Sequence, residues 1–73
     1  MAYSIPSRSG RRVHRALRRL GCVEVAASRK HVKYEMTGGK RSTIGRHPQL
    51  PENTIRDFCS QVGIAWDAFL REY

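Results

Sequence analysis

Cysteine, acidic residues and long apolar runs are all scarce in this sequence of 73 residues. The only two cysteines, Cys22 and Cys59, lie in apolar contexts, and neither has a second Cys or a His nearby at metal-ligand spacing. We therefore predict two reduced core thiols, no metal site and no cofactor. A disulfide between the two cysteines would need matched geometry and an oxidising compartment, and it stays open as an alternative.

No run of about 20 apolar residues is present to span a bilayer, and residues 1–12 lack the apolar segment of a signal peptide. We expect a cytoplasmic protein with no membrane partner. A chain of 73 residues has room for one domain, because a chain this short buries only a modest core. Hydrophobic residues make up 40% of the sequence, which suffices for that core and argues against disorder along the full length.

Acidic residues are outnumbered by Lys and Arg, six to fourteen, and the imbalance is uneven along the chain. Residues 1–47 carry twelve basic residues against two acids, a net charge of +10, whereas residues 48–73 carry two against four, a net charge of −2. Such a polarity favours a polyanionic partner on one side of the molecule. The alternative is a basic surface that serves only solubility.

An amphipathic helix is predicted after Ser9, which would cap its start, and it should end at Gly21. Its apolar stripe at helical spacing consists of Val13, Ala16, Leu17 and Leu20. Its other face carries only basic groups, namely Arg11, Arg12, His14, Arg15, Arg18 and Arg19. Six such groups repel one another and gain by meeting phosphates, although a merely solvated face is the ordinary alternative. We interpret His14 as a surface or phosphate contact.

Three strands are predicted next, because the apolar period shortens to two. In the first strand the half-buried residues should be Val23, Val25 and Ala27. In the second strand the core side should hold Val32, Tyr34 and Met36. The opposite side of the second strand should hold His31, Lys33 and Glu35. Gly38-Gly39 predicts a hairpin with a type I′ turn, and the third strand should run over residues 40–45 with Ile44 inward.

A second helix is predicted after a loop marked by Pro48 and Pro51. Its apolar stripe consists of Ile55, Phe58, Cys59 and Val62. Asn53 or Thr54 would cap the start of this helix, and Gly63 would end it. Residues 65–70 are typical of one or two further helical turns, and their apolar side chains, Trp66, Phe69 and Leu70, should cover the edge of the core.

This order predicts a flexible arm at residues 1–8 and a single α+β domain at residues 9–73. The domain should have an α-β-β-β-α order, with both helices on one face of a three-stranded antiparallel sheet to bury their stripes, and a short C-terminal helical turn. The other sheet face is then open. His31 and Lys33 should project from that open face, because residues two apart on a strand share a side.

Four segments of the chain, spread over residues 9–70, resemble the HicA family of toxins in their order and spacing. They are Leu-Arg-Arg-Leu-Gly-Cys-Val-Glu-Val at 17–25, the isolated His31, Thr-Ile-Gly-Arg-His-Pro at 43–48, and Asn-Thr-Ile-Arg-Asp-Phe-Cys-Ser-Gln-Val-Gly-Ile at 53–64. The resemblance implies a fold similar to double-stranded-RNA-binding domains. It also implies the toxin role in a type II toxin-antitoxin system, with ribosome-independent endonuclease cleavage of messenger RNA (mRNA) and a HicB-like antitoxin that covers the active histidine.

The matching position assigns catalysis to His31. RNA can be cut without a metal, because its 2′-hydroxyl attacks the adjacent phosphorus once a base removes the proton and donors stabilise the charged phosphorane. Imidazole exchanges a proton near neutral pH, so His31 could act as that base or as the acid that protonates the departing 5′-oxygen. His47, at the end of the third strand, is a candidate second participant. The residues predicted to bind RNA phosphates are Arg29, Lys30, Lys33, Arg46, His47, Arg11, Arg12 and Arg15.

The sequence departs from the family pattern directly before His31, where the family has Gly-Ser and this chain has Ser28-Arg29-Lys30. We expect that a tight glycine turn is missing there. A non-catalytic RNA-binding module of the same fold remains an alternative, in which His31 is an ordinary surface residue. A small DNA-binding regulator is disfavoured, because Arg56 is the only basic residue between positions 53 and 62.

Overall fold

The computed structural model describes residues 7–73. The elements in chain order are β1 (Ser7–Ser9), α1 (Gly10–Arg19), β2 (Val23–Ala27), β3 (His31–Glu35), β4 (Arg41–Gly45), β5 (Gln49–Pro51), α2 (Glu52–Val62) and α3 (Trp66–Glu72). Strands β2, β3 and β4 form an antiparallel sheet in that order, and β1 pairs with β5 in a separate two-stranded sheet. The predicted α+β meander is confirmed. None of the helices in residues 7–73 combines the length and the apolar character that a membrane span requires.

Helix α1 forms as the sequence predicts. The side chain of Ser9 accepts a hydrogen bond from the backbone N–H of Arg12 at 3.5 Å, which satisfies one of the free donors of the first turn. The helix ends at Leu20, and Gly21 follows with a φ of +101°. A glycine adopts this left-handed conformation without a steric penalty, so the chain can turn there into β2.

Both long helices bury their stripes on one face of the sheet. The sheet contributes Val32, Tyr34 and Ile44 to a single core, which also contains Val13, Ala16, Leu17, Ile55, Phe58, Cys59, Val62 and Phe69. Tyr34 and Phe69 are fully buried, and Trp66 stacks on Phe69 with a centroid distance of 5.1 Å. The predicted core is therefore confirmed in its main residues, including Tyr34.

A pairing that the sequence did not predict joins β1 to β5, the strand that precedes α2. Ser7 and Arg8 belong to β1, so the prediction of a flexible arm is wrong for these two residues, and the remainder of that arm, residues 1–6, lies outside the described residues. The partner strand β5 forms where the sequence predicts a loop. Arg8 also forms an ion pair with Glu52 at 3.0 Å, which ties β1 to the start of α2.

Strand β2 does not have the predicted half-buried side. All five of its residues are exposed, with Val23 at 63% and Val25 at 45% exposure. A bulge between Glu24 and Ala26 breaks the alternation, and α2 packs on β4 at the other edge of the sheet rather than on β2. The strand predicted from the apolar period is therefore confirmed, but the predicted burial of one of its sides is wrong.

Two local predictions differ from the structure in detail. The hairpin after β3 is present, but its hydrogen-bonded turn runs from Met36 to Gly39 with Thr37 and Gly38 at the centre. Gly38 and Gly39 have the predicted positive φ, at +96° and +82°, but the turn is not the predicted type I′ turn with these two glycines at its centre, because its hydrogen bond closes on Gly39. Helix α2 begins at Glu52 without a side-chain cap, so capping by Asn53 or Thr54 is wrong, whereas Gly63 ends the helix with a φ of +81° as predicted.

Candidate functional site

His31 is the first residue of β3, and its side chain is exposed on the open face of the sheet. Lys33 lies on the same side, as the two-residue period predicts. Both residues line a shallow depression of about 210 Å³, together with Ala26, Ala27, Ser28 and Thr43. Within residues 7–73 the imidazole ring of His31 makes no hydrogen bond, since only its backbone groups are engaged. Both ring nitrogens are thus free to meet a ligand.

The turn before His31 closes tightly although it contains no glycine. The backbone N–H of Ser28 donates to the carbonyl of His31 at 2.8 Å, and the Ser28 hydroxyl accepts from the backbone N–H of His31 at 3.2 Å. A serine hydroxyl can replace a backbone carbonyl in closing a turn. The glycine turn is absent, as expected, but a turn closed by Ser28 takes its place, with Arg29 and Lys30 exposed at its tip.

His47 follows β4 and lies close to the residue opposite His31. In the sheet register His31 pairs with Gly45. A Cβ atom added at Gly45 would lie 2.8 Å from Cδ2 and 3.2 Å from Nε2 of the His47 ring. The exposed His47 ring therefore occupies the space that a side chain at position 45 would fill.

His14 is not the free surface residue that the sequence indicated. It is half-buried, its Nδ1 lies 2.8 Å from the Tyr34 hydroxyl, and its Nε2 lies 2.8 Å from the carbonyl oxygen of Gly45. The sequence contained one signal for this packing, because His14 follows Gly10 by four positions and precedes Leu17 by three, and both of those residues are buried.

The protonation of this link follows from its partners. Burial raises the pKa of Tyr34 above its ordinary value, and the nearby Arg18 guanidinium opposes that rise only in part. The phenol therefore keeps its proton and can donate to Nδ1 of His14. The Gly45 carbonyl can only accept a hydrogen bond, so the proton in this bond is on Nε2 of His14, which is the donor. A neutral His14 satisfies both partners in this arrangement.

A second, larger groove of about 540 Å³ lies on the helix-facing side, between α1 and the sheet. Its polar and charged lining consists of Arg11, His14, Arg18, Glu24, Tyr34, Arg46 and His47. Arg46 makes an ion pair with Glu24 at 3.7 Å in this groove. Arg46 neighbours inward-facing Ile44 at a spacing of two, so the structure does not bring it to the His31 side as a phosphate ligand beside that histidine.

The other basic residues predicted to bind phosphate lie on α1. Arg11 and Arg15 are exposed, as are Arg18 and Arg19. Arg12 is engaged by the C-terminus, because its guanidinium donates to the Tyr73 carbonyl at 2.8 Å and lies 4.2 Å from the centroid of the Tyr73 ring. Helix α1 therefore has an exposed basic face, but the guanidinium of Arg12 on that face is already bound to Tyr73.

Cys22 and Cys59 are buried free thiols, as predicted. Burial raises the pKa of each thiol to about 11. Neither thiol is therefore a nucleophile at neutral pH.

Comparison with known families supports the resemblance described above. No curated protein sequence matches the chain. A family model described as the HicA toxin of bacterial toxin-antitoxin systems matches residues 10–64, which include α1, the whole sheet and α2. This match covers three quarters of the 73 residues and spans His31, Gly45 and His47. The chain therefore belongs to the HicA toxin family, and its role is that of the toxin in a toxin-antitoxin pair.

Proposed function

We propose that this toxin is an endoribonuclease that cleaves mRNA, with His31 as the residue that transfers protons at the scissile phosphate. The observation that supports this proposal is the uncovered His31 imidazole on the open sheet face, free of hydrogen bonds within residues 7–73 and adjacent to the ammonium-bearing Lys33. A histidine that serves only the fold would find partners for its ring nitrogens, as His14 does.

The reaction needs no group beyond the RNA and the protein. The 2′-hydroxyl attacks the adjacent phosphorus, and the bond to the 5′-oxygen breaks, leaving a 2′,3′-cyclic phosphate and a free 5′-hydroxyl. His31 takes the proton from the attacking hydroxyl or gives one to the departing oxygen. Cationic donors stabilise the extra negative charge that the phosphorane carries.

The substrate is held by the cations near His31. Lys33 shares the depression with His31, and Arg29 and Lys30 extend from the turn that precedes it. The exposed guanidiniums of α1, including Arg11 and Arg15, offer further contacts to a longer RNA. Because such contacts release counterions, we expect RNA affinity to fall steeply with salt concentration.

A toxin in such a pair has an antitoxin partner, and we infer that this partner is HicB-like. An antitoxin with an acidic surface would complement the net charge of +8 of the toxin. Coverage of the open face by this partner would block His31 from RNA. The reaction takes place in the cytoplasm, where mRNA is found.

RNA cleavage by the purified full chain in excess EDTA tests the proposal. Wild type should cut a single-stranded RNA, and His31→Ala should lower the cleavage rate by about 100-fold or more, since proton transfer by one side chain contributes about that much. Thr37→Ala is the matched control, because Thr37 is exposed in the turn at the other end of the sheet. Its cleavage rate should equal that of wild type.

RNA affinity separates catalysis from binding. An RNA with 2′-deoxy sugars cannot be cut, and its dissociation constant should change less than about threefold in His31→Ala, because the Lys and Arg side chains supply most of the phosphate contacts. Unchanged cleavage in His31→Ala would contradict the proposal and favour the non-catalytic RNA-binding module. Tighter binding of duplex DNA than of RNA would instead favour a DNA-binding regulator.

Lys33 provides a second test with a matched lysine. Lys33→Ala should weaken RNA binding and lower cleavage, because it removes the cation that lines the same depression as His31. Lys40→Ala removes an equal charge next to the Met36–Gly39 turn, at the far end of the sheet from His31. Equal losses in the two variants would show that Lys33 contributes only to net charge.

A further inference from the structure

The register of β3 and β4 indicates which sheet face the His47 ring reaches, although His47 also lines the groove on the helix-facing side. Directly paired residues of antiparallel strands point to the same side of the sheet, and Val32 and Ile44, one step along, both point into the core. His31 and the Cβ direction of Gly45 therefore both point to the open face. The His47 ring lies in that direction from Gly45, with its Cδ2 only 2.8 Å from the Cβ position.

The separation of the two histidines suits a shared substrate. Paired Cβ positions lie about 4.5–5.5 Å apart, so Cδ2 of His47 lies within about 8 Å of the His31 Cβ. The His31 imidazole extends from that Cβ, so both histidines are within reach of one bound phosphate group. Both side chains are exposed, so RNA can reach them.

Two glycines hold His47 in this position. Gly45 leaves its open-face side free for the ring. Gly10, at the start of α1, packs against the backbone of the His47 loop, since a Cβ at Gly10 would lie 1.9 Å from the His47 carbonyl oxygen. The backbone N–H of Gly10 also donates to the carbonyl of Pro48 at 2.9 Å. The ring is thus exposed, but the backbone that carries it is fixed.

We propose that His47 is the second catalytic histidine of this nuclease and exchanges protons with the substrate in partnership with His31, a role that rests on the ribonuclease activity proposed above. One imidazole takes the proton of the 2′-hydroxyl as that oxygen bonds to phosphorus. The other, as imidazolium, gives its proton to the 5′-oxygen as the bond between that oxygen and phosphorus breaks. The attacking and departing oxygens lie on opposite sides of the phosphorus, so two separate groups serve them better than one.

A substrate with sulfur in place of the bridging 5′-oxygen tests this division of roles. A thiolate leaves without being protonated, because thiols have a pKa of about 8.5. With ordinary RNA, His31→Ala and His47→Ala should each lower the cleavage rate by about 100-fold. With the sulfur substrate, one of the two variants should recover to within about tenfold of wild type, and the other should not. His47→Gln should behave as His47→Ala, because an amide does not exchange protons.

The pH profile and the binding constant distinguish catalysis from positioning. The cleavage rate of wild type should rise and then fall with pH, and His47→Ala should lose one limb of that profile. Affinity for the 2′-deoxy RNA should change less than about threefold, as it should for His31→Ala.

Gly45→Ala tests the geometry without removing a histidine. The added methyl group meets the His47 ring and must displace it from the open face. We expect a loss of cleavage of about tenfold, with an unchanged urea midpoint of unfolding because Gly45 does not have a positive φ. The double variant Gly45→Ala/His47→Ala should cleave no more slowly than His47→Ala alone.

The outcomes are distinct. If wild type cleaves RNA and His47→Ala cleaves it at a nearly normal rate, the role of His47 is overturned and the role of His31 is not affected. Rescue of both variants by sulfur, or of neither, also overturns the division of roles. Failure of wild type to cut any RNA overturns the nuclease activity itself, and the role of His47 with it.

Discussion

His14 and His31 belong to opposite faces of the same sheet, and the fold treats their imidazoles differently. On the helix-facing side, His14 is half-buried, and both of its ring nitrogens have partners at 2.8 Å, the Tyr34 hydroxyl and the Gly45 carbonyl. On the open face, His31 is exposed, and its ring has no hydrogen-bond partner within residues 7–73. Gly45 contacts both regions, since it accepts from His14 and pairs with His31.

This difference separates a histidine that organises the sheet from a histidine that is free to act. The His14 link joins α1 to β3 and to the end of β4, which carries the His47 loop. The hydrogen bonds of His14 on the helix-facing side thus help to fix the backbone that carries the open-face residues. A substitution on the helix-facing side should therefore be seen mainly in folding, and one on the open face mainly in activity.

The largest stability effect should come from His14→Ala. It leaves the buried Tyr34 hydroxyl and the Gly45 carbonyl without partners, so the free energy of unfolding should fall by about 1–3 kcal/mol. His31→Ala should change it by less than about 0.5 kcal/mol, because its exposed ring makes no hydrogen bond within residues 7–73 and contributes little to stability. Urea denaturation of both variants measures the contrast. Equal destabilisation by the two variants would abolish the distinction between the faces.

Tyr34→Phe should have a smaller effect, with a characteristic dependence on pH. It removes one hydrogen bond and should cost about 1 kcal/mol at pH 7. Because the folded protein raises the pKa of Tyr34, the phenol ionises more readily in the unfolded chain. The stability of wild type should therefore be lost as the pH rises above about 10, and Tyr34→Phe lacks this loss.

The difference between the two unfolding curves from pH 8 to pH 11 measures this contribution, since the other titrating groups are shared by both proteins. The free energies of wild type and Tyr34→Phe should converge as the pH rises. A constant difference over that range would show that the buried phenol does not resist ionisation.

Ser28→Ala should have a smaller effect on stability than Tyr34→Phe, and it should also lower the cleavage rate. The hydroxyl of Ser28 holds the backbone N–H of His31 at 3.2 Å in an exposed turn, so its loss should cost about 0.5–1 kcal/mol. The turn that orients His31 loosens, and cleavage should fall severalfold with RNA affinity nearly unchanged. Ser42→Ala is the comparison variant. Ser42 lies in β4 of the same sheet, and its hydroxyl donates to the Gln61 side chain of α2 rather than to the turn before His31. Equal cleavage by the two variants would rule out a positioning role for Ser28.

Much of the fold could be predicted from the sequence, because apolar periodicity is a local property. The stripes of α1 and α2 and the inward positions of β3 and β4 are all buried as their spacing indicates. The strand β2 shows the limit of this reasoning. Its alternation identified a strand, but a bulge and its position at the sheet edge left Val23 and Val25 exposed.

The candidate site could be predicted only in part. The two-residue period was enough to assign His31 and Lys33 to the open side of β3. Phosphate binding by Arg12 and Arg46 stays a prediction, and the structure adds that these side chains have partners in Tyr73 and Glu24, which are far away in the sequence. No local pattern indicates such partners.

The sequence by itself determined the α+β class, the two apolar stripes, the basic half of the chain and the side of the sheet that carries His31, because each depends on residues a few positions apart. Only the tertiary structure decided what meets across longer separations. It paired β1 with β5, linked His14 to Tyr34 and Gly45, and brought the His47 ring next to Gly45, the residue of β4 that pairs with His31. These contacts join different elements of the fold, and the spacing of residues within one element does not encode them.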